Sequence, residues 1–164
     1  MPEEIFKMPR MAKAEYDRLV EEQYVYRIVF QGETHPYIAP FIYVFDGRFM
    51  YFLSTNYGKK VQHFNDNPLV TVEIEHYTPD LSAFSFVALP GRLVQVEDAL
   101  QKMAVREMFV RLIRGRALSS NVLSALGHSP QEPVEVLLRD EKSSVWKLVG
   151  VRVDDILGLK SQSL

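Results

Sequence analysis

Cysteine is absent from the chain, and tryptophan occurs only once. The missing cysteine excludes disulfide bonds, thiolate metal sites and cysteine nucleophiles. Long apolar runs are also missing: no segment approaches the roughly 18 apolar residues of a membrane-spanning helix, and the first residues lack the apolar core of a signal peptide. Net charge is -2 and the pI about 6.1, so nothing in the overall charge attracts nucleic acid or anionic lipid. We therefore expect a cytoplasmic protein without a nucleic-acid or membrane partner.

The sequence also lacks the common metal and hydrolase motifs. Its histidines are His35, His63, His76 and His128. No pair of them has the H-x-x-x-H spacing or the nearby acidic residue of a metal site, and there is no G-x-S-x-G elbow. We therefore predict no protein-bound metal, and no side chain is assigned a catalytic role.

The pattern of apolar residues predicts a mainly β protein. The chain has 164 residues and shows no repeat or linker, which favours one domain over residues 1–164. Strands are predicted at 24–30, 37–45, 49–53, 69–76, 82–89 (continued by 92–96 after a bend at Pro90-Gly91), 134–138 and 145–153; helices are predicted at 11–22, 59–65 and 97–115, with a helical turn around 122–126. Hairpin-length turns such as Asp46-Gly47 indicate antiparallel pairing. We predict an antiparallel barrel of six or seven strands with peripheral helices.

Two hydroxyl residues and two lysines flank a glycine turn near the middle of the chain. Ser54 and Thr55 end an apolar strand, and Lys59 and Lys60 follow Gly58 at the start of a short helix. Backbone N–H groups and the helix dipole favour an anion at such a point, where cations alone are unfavourable. An ordinary pair of solvated surface lysines is the alternative. We predict that these four side chains bind a phosphate group.

The segments from about residue 24 to 75 follow an order that resembles one flavoprotein family. The order is an arginine and two apolar residues at Arg27, a proline pair at Pro36 and Pro40, an aromatic strand, the Gly58-Lys59-Lys60 turn and Asn67-Pro68. This order resembles the pyridoxamine 5'-phosphate oxidase-like FMN-binding split barrels, especially their nitroimidazole-resistance-like branch. Without the resemblance, the two prolines indicate only an edge strand or a strand start.

The resemblance implies where FMN and its ring would lie. The phosphate site would hold the FMN phosphate, and the flat flavin ring would lie against Ile38, Ala39 and Pro40. Ile38 and Ala39 would offer main-chain N–H and C=O groups, and the small Ala39 would let the ring approach. Trp146 is commonly expected in a core, whereas the resemblance implies a contact with the flavin of the partner subunit.

Other positions depart from the family or stay open. Family members often carry a flavin-contacting serine or glutamine where this chain has Phe86, and a bulge at Pro90 would bring the neighbouring Ser85 to the site. Whether Arg27, His35 or Ser85 contacts flavin is left open. The chain lacks the C-terminal Arg-Leu signature that binds substrate phosphate, so oxidation of vitamin B6 is not expected. A histidine of some nitroimidazole reductases is replaced at about Ser54, which argues against that activity.

We expect an FMN-dependent oxidoreductase that acts on an unidentified small molecule. A homodimer with FMN at its interface is expected, because the aromatic strands 41–45 and 49–53 carry more apolar residues than one inner face needs. One alternative is an NAD(P)H-dependent flavin reductase. The other is a non-catalytic barrel that binds flavin or haem.

Overall fold

The computed structural model describes residues 3–56, 60–139, 142–150 and 155–162. Its strands are β1 (Val25–Phe30), β2 (Tyr37–Phe45), β3 (Met50–Thr55), β4 (Leu69–Tyr77), β5 (Phe84–Gln95), β6 (Ser143–Gly150) and β7 (Leu157–Lys160). Its helices are α1 (Lys13–Glu22), α2 (Lys60–Asp66), α3 (Ala99–Gly115) and α4 (Val122–Ala125), with a 3-10 helix at Val134–Arg139. In this part of the chain, no helix is both long and apolar enough to cross a membrane.

Six strands form a closed antiparallel barrel. The order is β4-β1-β2-β3-β6-β5, and a further pairing of β4 with β5 closes the ring. β7 pairs with β5 outside this ring, at residues 85–88. The result confirms the predicted mainly β fold, a barrel of six or seven strands with peripheral helices.

The two strand segments predicted on either side of a bend at Pro90-Gly91 form one strand, because β5 runs unbroken through both residues. Leu93 donates to the carbonyl of Pro68 at 2.8 Å, which means that odd-numbered residues of β5 direct their N–H groups toward β4. The nitrogen of Pro90 therefore faces the other edge. There it lies between Ala88, the last residue paired with β7, and Gly91, the first paired with β6. Proline is tolerated here because no described residue pairs with it on that edge.

The bulge suggested at Pro90 is also absent from the ladder. β4 and β5 pair in one continuous register from Leu69↔Arg92 to Tyr77↔Phe84. Ser85 consequently stays between His76 of β4 and Lys160 of β7.

The segment predicted as a strand at 134–138 is the 3-10 helix. Pro133 precedes it, and Val136 N donates to the Pro133 carbonyl at 3.0 Å, which begins a helical turn. Leu137 is fully buried in the apolar cluster beside α3. The barrel closes without this segment, and the sequence pattern missed β7, which takes the remaining edge of β5.

Apolar side chains bury both faces of β3. Phe52 lies in the cluster inside the barrel, whereas Tyr51 and Leu53 lie in a second cluster between the barrel and α3. Val44 of β2 belongs to that outer cluster as well. The apolar surplus of the aromatic strands is therefore buried within one protomer by α3, and it supplies no evidence for a dimer.

Candidate functional site

One half of β2 has an edge that no strand covers among the described residues. β2 pairs with β1 along residues 37–42. Its pairing with β3 is limited to residues 43–45, because β3 continues beside β6 up to Thr55. The two strands separate beyond Tyr43 and leave the second edge of residues 37–42 open.

The phase of the hydrogen bonds shows which main-chain groups face this open edge. Tyr43 N donates to Tyr24 O at 2.9 Å, and residues of an antiparallel strand alternate in the direction of their N–H and C=O groups. The N–H and C=O of Ala39 therefore point to β1, and the N–H and C=O of Ile38 point to the open edge. Pro40 adds a carbonyl to the same edge. Ile38 therefore presents a main-chain donor and acceptor at the open edge, whereas the N–H and C=O of Ala39 face β1 within the sheet.

The side chains of this segment also alternate. Ile38 is 64% exposed and Pro40 is exposed on the outer surface. Ala39 packs against the cluster inside the barrel, so its small side chain does not border the open edge. A flat ligand at this edge would therefore contact Ile38 and Pro40.

A lysine and a hydroxyl meet next to this edge. Thr55 ends β3 and Lys60 begins α2, and Lys60 Nζ donates to Thr55 Oγ1 at 3.4 Å. In the described part of the chain, no carboxylate forms an ion pair with Lys60. Its ammonium group can therefore bind an anion. Lys59 and Gly58 lie outside the described residues.

Ser54 faces away from this pair. Phe52 points into the barrel and Leu53 points out toward α3, so the alternation of β3 turns Ser54 inward and Thr55 outward. Ser54 is 2% exposed, and its Oγ has no hydrogen-bond partner among the described residues. The structure brings Thr55 and Lys60 together and places the Ser54 hydroxyl inside the barrel.

The α2 helix closes the barrel at this end. Phe64 stacks on Phe30 and meets Trp146 edge-on, with both ring centroids 5.1 Å away. The His63 ring lies 5.7 Å from the ring of Tyr37. Burial raises the pKa of Tyr37 above its ordinary value. α2 thus contacts the start of β2 through His63 and the end of β3 through Lys60. We use the name edge groove for five residues of these three elements: Tyr37, Ile38, Pro40, Thr55 and Lys60.

Trp146 is a residue of the barrel core in this structure. Its side chain is 0% exposed, and its Nε1 donates to Ser144 Oγ at 2.8 Å. This position leaves no ring surface for a flavin that a partner subunit would hold. It agrees with the core alternative that the sequence left open.

The three positions left open by the sequence have other contacts. Arg27 forms an ion pair with Glu75, with Nη1 and Oε1 2.8 Å apart. The His35 ring is hydrogen-bonded to Thr34 Oγ1 at 2.9 Å and is exposed. Ser85 borders a small cavity beside α1, and its place on β5 separates it from the edge groove.

The fold resembles several solved structures over most of its length. An FAD-binding protein from Mesorhizobium loti matches with a TM-score of 0.63 and 14% identity, over 96% of this chain and all of that one. A proposed 5-nitroimidazole antibiotic resistance protein from Bacteroides thetaiotaomicron matches with a TM-score of 0.61 and 14% identity, over 96% of this chain and 92% of that one. The heme storage protein HutZ from Vibrio cholerae matches with a TM-score of 0.62 and 12% identity, over 90% of this chain and 94% of that one. At these identities the similarity shows the fold.

Membership of a protein family follows from a match between this sequence and a family model. No curated protein matches the chain. The family model for pyridoxamine 5'-phosphate oxidase, however, matches residues 12–140. This range contains β1 to β5, α2 and every residue of the edge groove. The chain therefore belongs to the pyridoxamine 5'-phosphate oxidase family.

Proposed function

We propose that the protein binds FMN in the edge groove and catalyses oxidation or reduction of a small molecule, with the cytoplasm as the expected compartment. One observation carries the proposal: the uncovered edge of β2 begins at Tyr37, whose ring lies 5.7 Å from that of His63 in α2, the helix whose first residue, Lys60, donates to Thr55. The family match and the similarity to an FAD-binding protein support a flavin as the ligand.

The groups of the groove fit the two ends of FMN. The pyrimidine end of a flavin ring presents N–H and C=O groups in its plane, and the N–H and C=O of Ile38 and the carbonyl of Pro40 complement them. The phosphate end suits the Lys60 ammonium and the Thr55 hydroxyl, because charge-assisted hydrogen bonds are the strong ones. Lys59 is proposed as a second cation at this end. Ser54 fits only if its inward hydroxyl reaches the ligand.

Bound flavin would supply the hydride or electron transfer itself, and the protein would position it. In this arrangement Ile38 and Pro40 orient the ring, while Lys60 neutralises the phosphate. The Tyr37 hydroxyl supplies a hydrogen-bond donor at the end of the edge groove. Trp146 supports this end of the barrel by its contact with Phe64.

A homodimer is part of the proposal, because the groove is open on one side. Tyr37 and Val25 are each 41% exposed, and Ile38 is 64% exposed. A second copy would cover these apolar side chains and keep water from the ring. FMN would then lie at the interface of the two copies.

Two alternatives use the same groove in other ways. A flavin reductase would release reduced FMN, with NADH or NADPH as the electron donor. A non-catalytic barrel would store or sense flavin or haem, and the similarity to the heme storage protein HutZ favours a test for haem. Anaerobic bleaching of bound flavin by NADH or NADPH supports an enzyme, and a haem absorption band on titration supports the storage alternative.

The central test compares FMN with riboflavin, which lacks the phosphate. Wild-type protein should bind FMN at least tenfold more tightly. Lys60→Ala should reduce FMN affinity about tenfold to a hundredfold and leave riboflavin affinity unchanged, since a hydrogen bond to a charged group is worth about 1.5–3 kcal/mol. Lys7→Ala serves as the matched control, because it removes an exposed lysine that is distant in sequence from the edge groove. Equal affinity of wild-type protein for FMN and riboflavin would contradict the phosphate site.

A further inference from the structure

A cavity of about 410 Å³ lies at the other end of the barrel. Its lining includes Phe45, the last residue of β2, and Met50, the first residue of β3. The edge groove uses the opposite ends of the same strands. Thr55 lies five positions after Met50 in β3, and this separation corresponds to about 16 Å along a strand. The barrel-end cavity is therefore a separate site from the edge groove.

The floor of the cavity is apolar. It is formed by side chains that belong to the barrel cluster or pack against it: Val20, Phe45, Met50, Leu89, Leu148 and Ile156. These residues come from α1, from four strands and from the segment before β7, so the walls are fixed by the closed barrel. Burial of apolar ligand surface on such a floor is favourable because it removes that surface from water.

Among the residues that the structure describes, the rim of the cavity carries two charges of each sign. Lys13 and Asp17 on α1 neutralise each other, with Nζ and Oδ2 2.5 Å apart. Glu21 and Arg48 complete the rim with one negative and one positive charge. An ion that moves onto the apolar floor would lose its hydration shell. The four rim charges sum to zero and would not compensate this loss, so binding of an ion is unfavourable. A neutral molecule meets no such cost.

Glycine keeps part of this space empty. A Cβ atom placed at Gly150 would meet no atom within 4 Å, and Gly150 lines the cavity. Alternation along β6 places residue 150 on the same side as Leu148, which points into the barrel. A Cβ atom at this position would therefore be directed toward the cavity and would meet no other atom.

We propose that the barrel-end cavity binds a small uncharged aromatic or alicyclic molecule of one or two rings. The cavity volume lies in the range of ligand sites, about 300–1,000 Å³. The apolar floor favours the body of such a ligand, and the balanced rim selects against net charge. This site is independent of the proposed flavin function, and its occupant can be bound together with FMN.

The test uses three probes of similar shape and different charge: indole, indole-3-acetate and tryptamine. Binding to the full-length protein is measured by calorimetry with excess FMN present, so that the edge groove is not available to the probes. Indole should bind, and each charged probe should bind at least tenfold more weakly. Failure of all three probes at millimolar concentration overturns the site. A charged probe that binds as tightly as indole overturns the ligand class.

Two variants assign the location. Gly150→Phe and Leu89→Phe fill the cavity from different strands, so one remains informative if the other does not fold. Each should weaken indole at least tenfold while FMN affinity is unchanged. Lys60→Ala should do the reverse, which separates failure of this site from failure of the flavin site. Undiminished indole binding by a folded cavity-filling variant overturns the proposal.

Discussion

Arg27 on β1 pairs with Glu75 on β4, with Arg27 Nη1 and Glu75 Oε1 2.8 Å apart. Glu73 lies farther from the same guanidinium, at 3.7 Å, and its Oε1 is buried without a hydrogen bond among the described residues. Burial and the neighbouring Glu75 raise the pKa of Glu73 above its ordinary value of 4.5, although Arg27 opposes the shift. One arginine thus stabilises two carboxylates unequally.

We predict that Glu73→Gln stabilises the protein at neutral pH. An acid whose pKa is raised by folding destabilises the folded state once the pH exceeds that pKa, and a neutral amide removes the effect. The gain should be below about 1 kcal/mol, because partial exposure screens the charge. It should disappear below about pH 4, where Glu73 is protonated in both states. Urea unfolding at pH 7 and pH 4 measures both values, and a gain that is equal at the two pH values would refute this explanation.

Glu75→Gln is the matched control for that substitution. It removes the closer ion pair and should lower stability by about 0.2–1 kcal/mol at neutral pH. The two neighbouring glutamates are thus expected to give changes of opposite sign.

Proline substitutions should distinguish the two edges of β2. Ile38→Pro removes an N–H that faces no strand among the described residues, so the fold should persist while FMN affinity falls about tenfold. Ala39→Pro removes an N–H of the β1–β2 ladder and should destabilise the barrel by about 1–3 kcal/mol, because the partner carbonyl loses its hydrogen bond. Thermal unfolding and FMN titration measure both effects. Wild-type FMN affinity in a folded Ile38→Pro protein would exclude this main-chain contact.

Trp146 should behave as a buried residue in fluorescence. Because it is the only tryptophan, its emission should be blue-shifted and poorly quenched by acrylamide until the protein unfolds. Trp146→Ala should cost about 3–5 kcal/mol, from the cavity it leaves and the lost bond to Ser144. Circular dichroism follows unfolding of the variant. Strong quenching in the native protein would show that the ring is exposed in solution.

Two glycines should respond oppositely to alanine. At Gly91 a Cβ atom would lie 2.5 Å from Leu148 Cδ1 and 2.9 Å from the Val149 carbonyl oxygen, so Gly91→Ala should destabilise the protein by about 1–3 kcal/mol. At Gly115, which ends α3, a Cβ would meet no atom within 4 Å. Gly115→Ala should raise stability by about 0.4–1 kcal/mol, because alanine restricts the unfolded chain. Both values come from urea unfolding, and a neutral Gly91→Ala would show that β6 can shift.

Local patterns were sufficient for the elements whose partners are their sequence neighbours. The predicted bounds of β2 agree with the structure, and β1, β3, β4 and α3 begin or end within two residues of it. The helical turn at Val134–Arg139 was missed because its apolar residues alternate like those of a strand, and only packing against α3 decides between the two.

The candidate site was predictable only in part. The proximity of Thr55 and Lys60 follows from their separation along the chain, and the inward direction of Ser54 could have been found from the two-residue period of a strand. The open edge of β2 was inaccessible to local patterns, because it exists only where β3 leaves β2 for β6. Trp146 could not be assigned either, since its burial depends on Phe64 of α2.

The pairing of β3 with β6 sets the order in which this barrel can form during synthesis. Ser54 pairs with Ser144, 90 positions later. The β1–β2 hairpin pairs neighbouring segments and can form early in synthesis. The barrel itself cannot close until β6 has been translated. Contacts so distant in sequence slow folding, and the unpaired strands expose apolar surface in the meantime. We therefore expect the chain to be most prone to aggregation in the period before β6 has been translated.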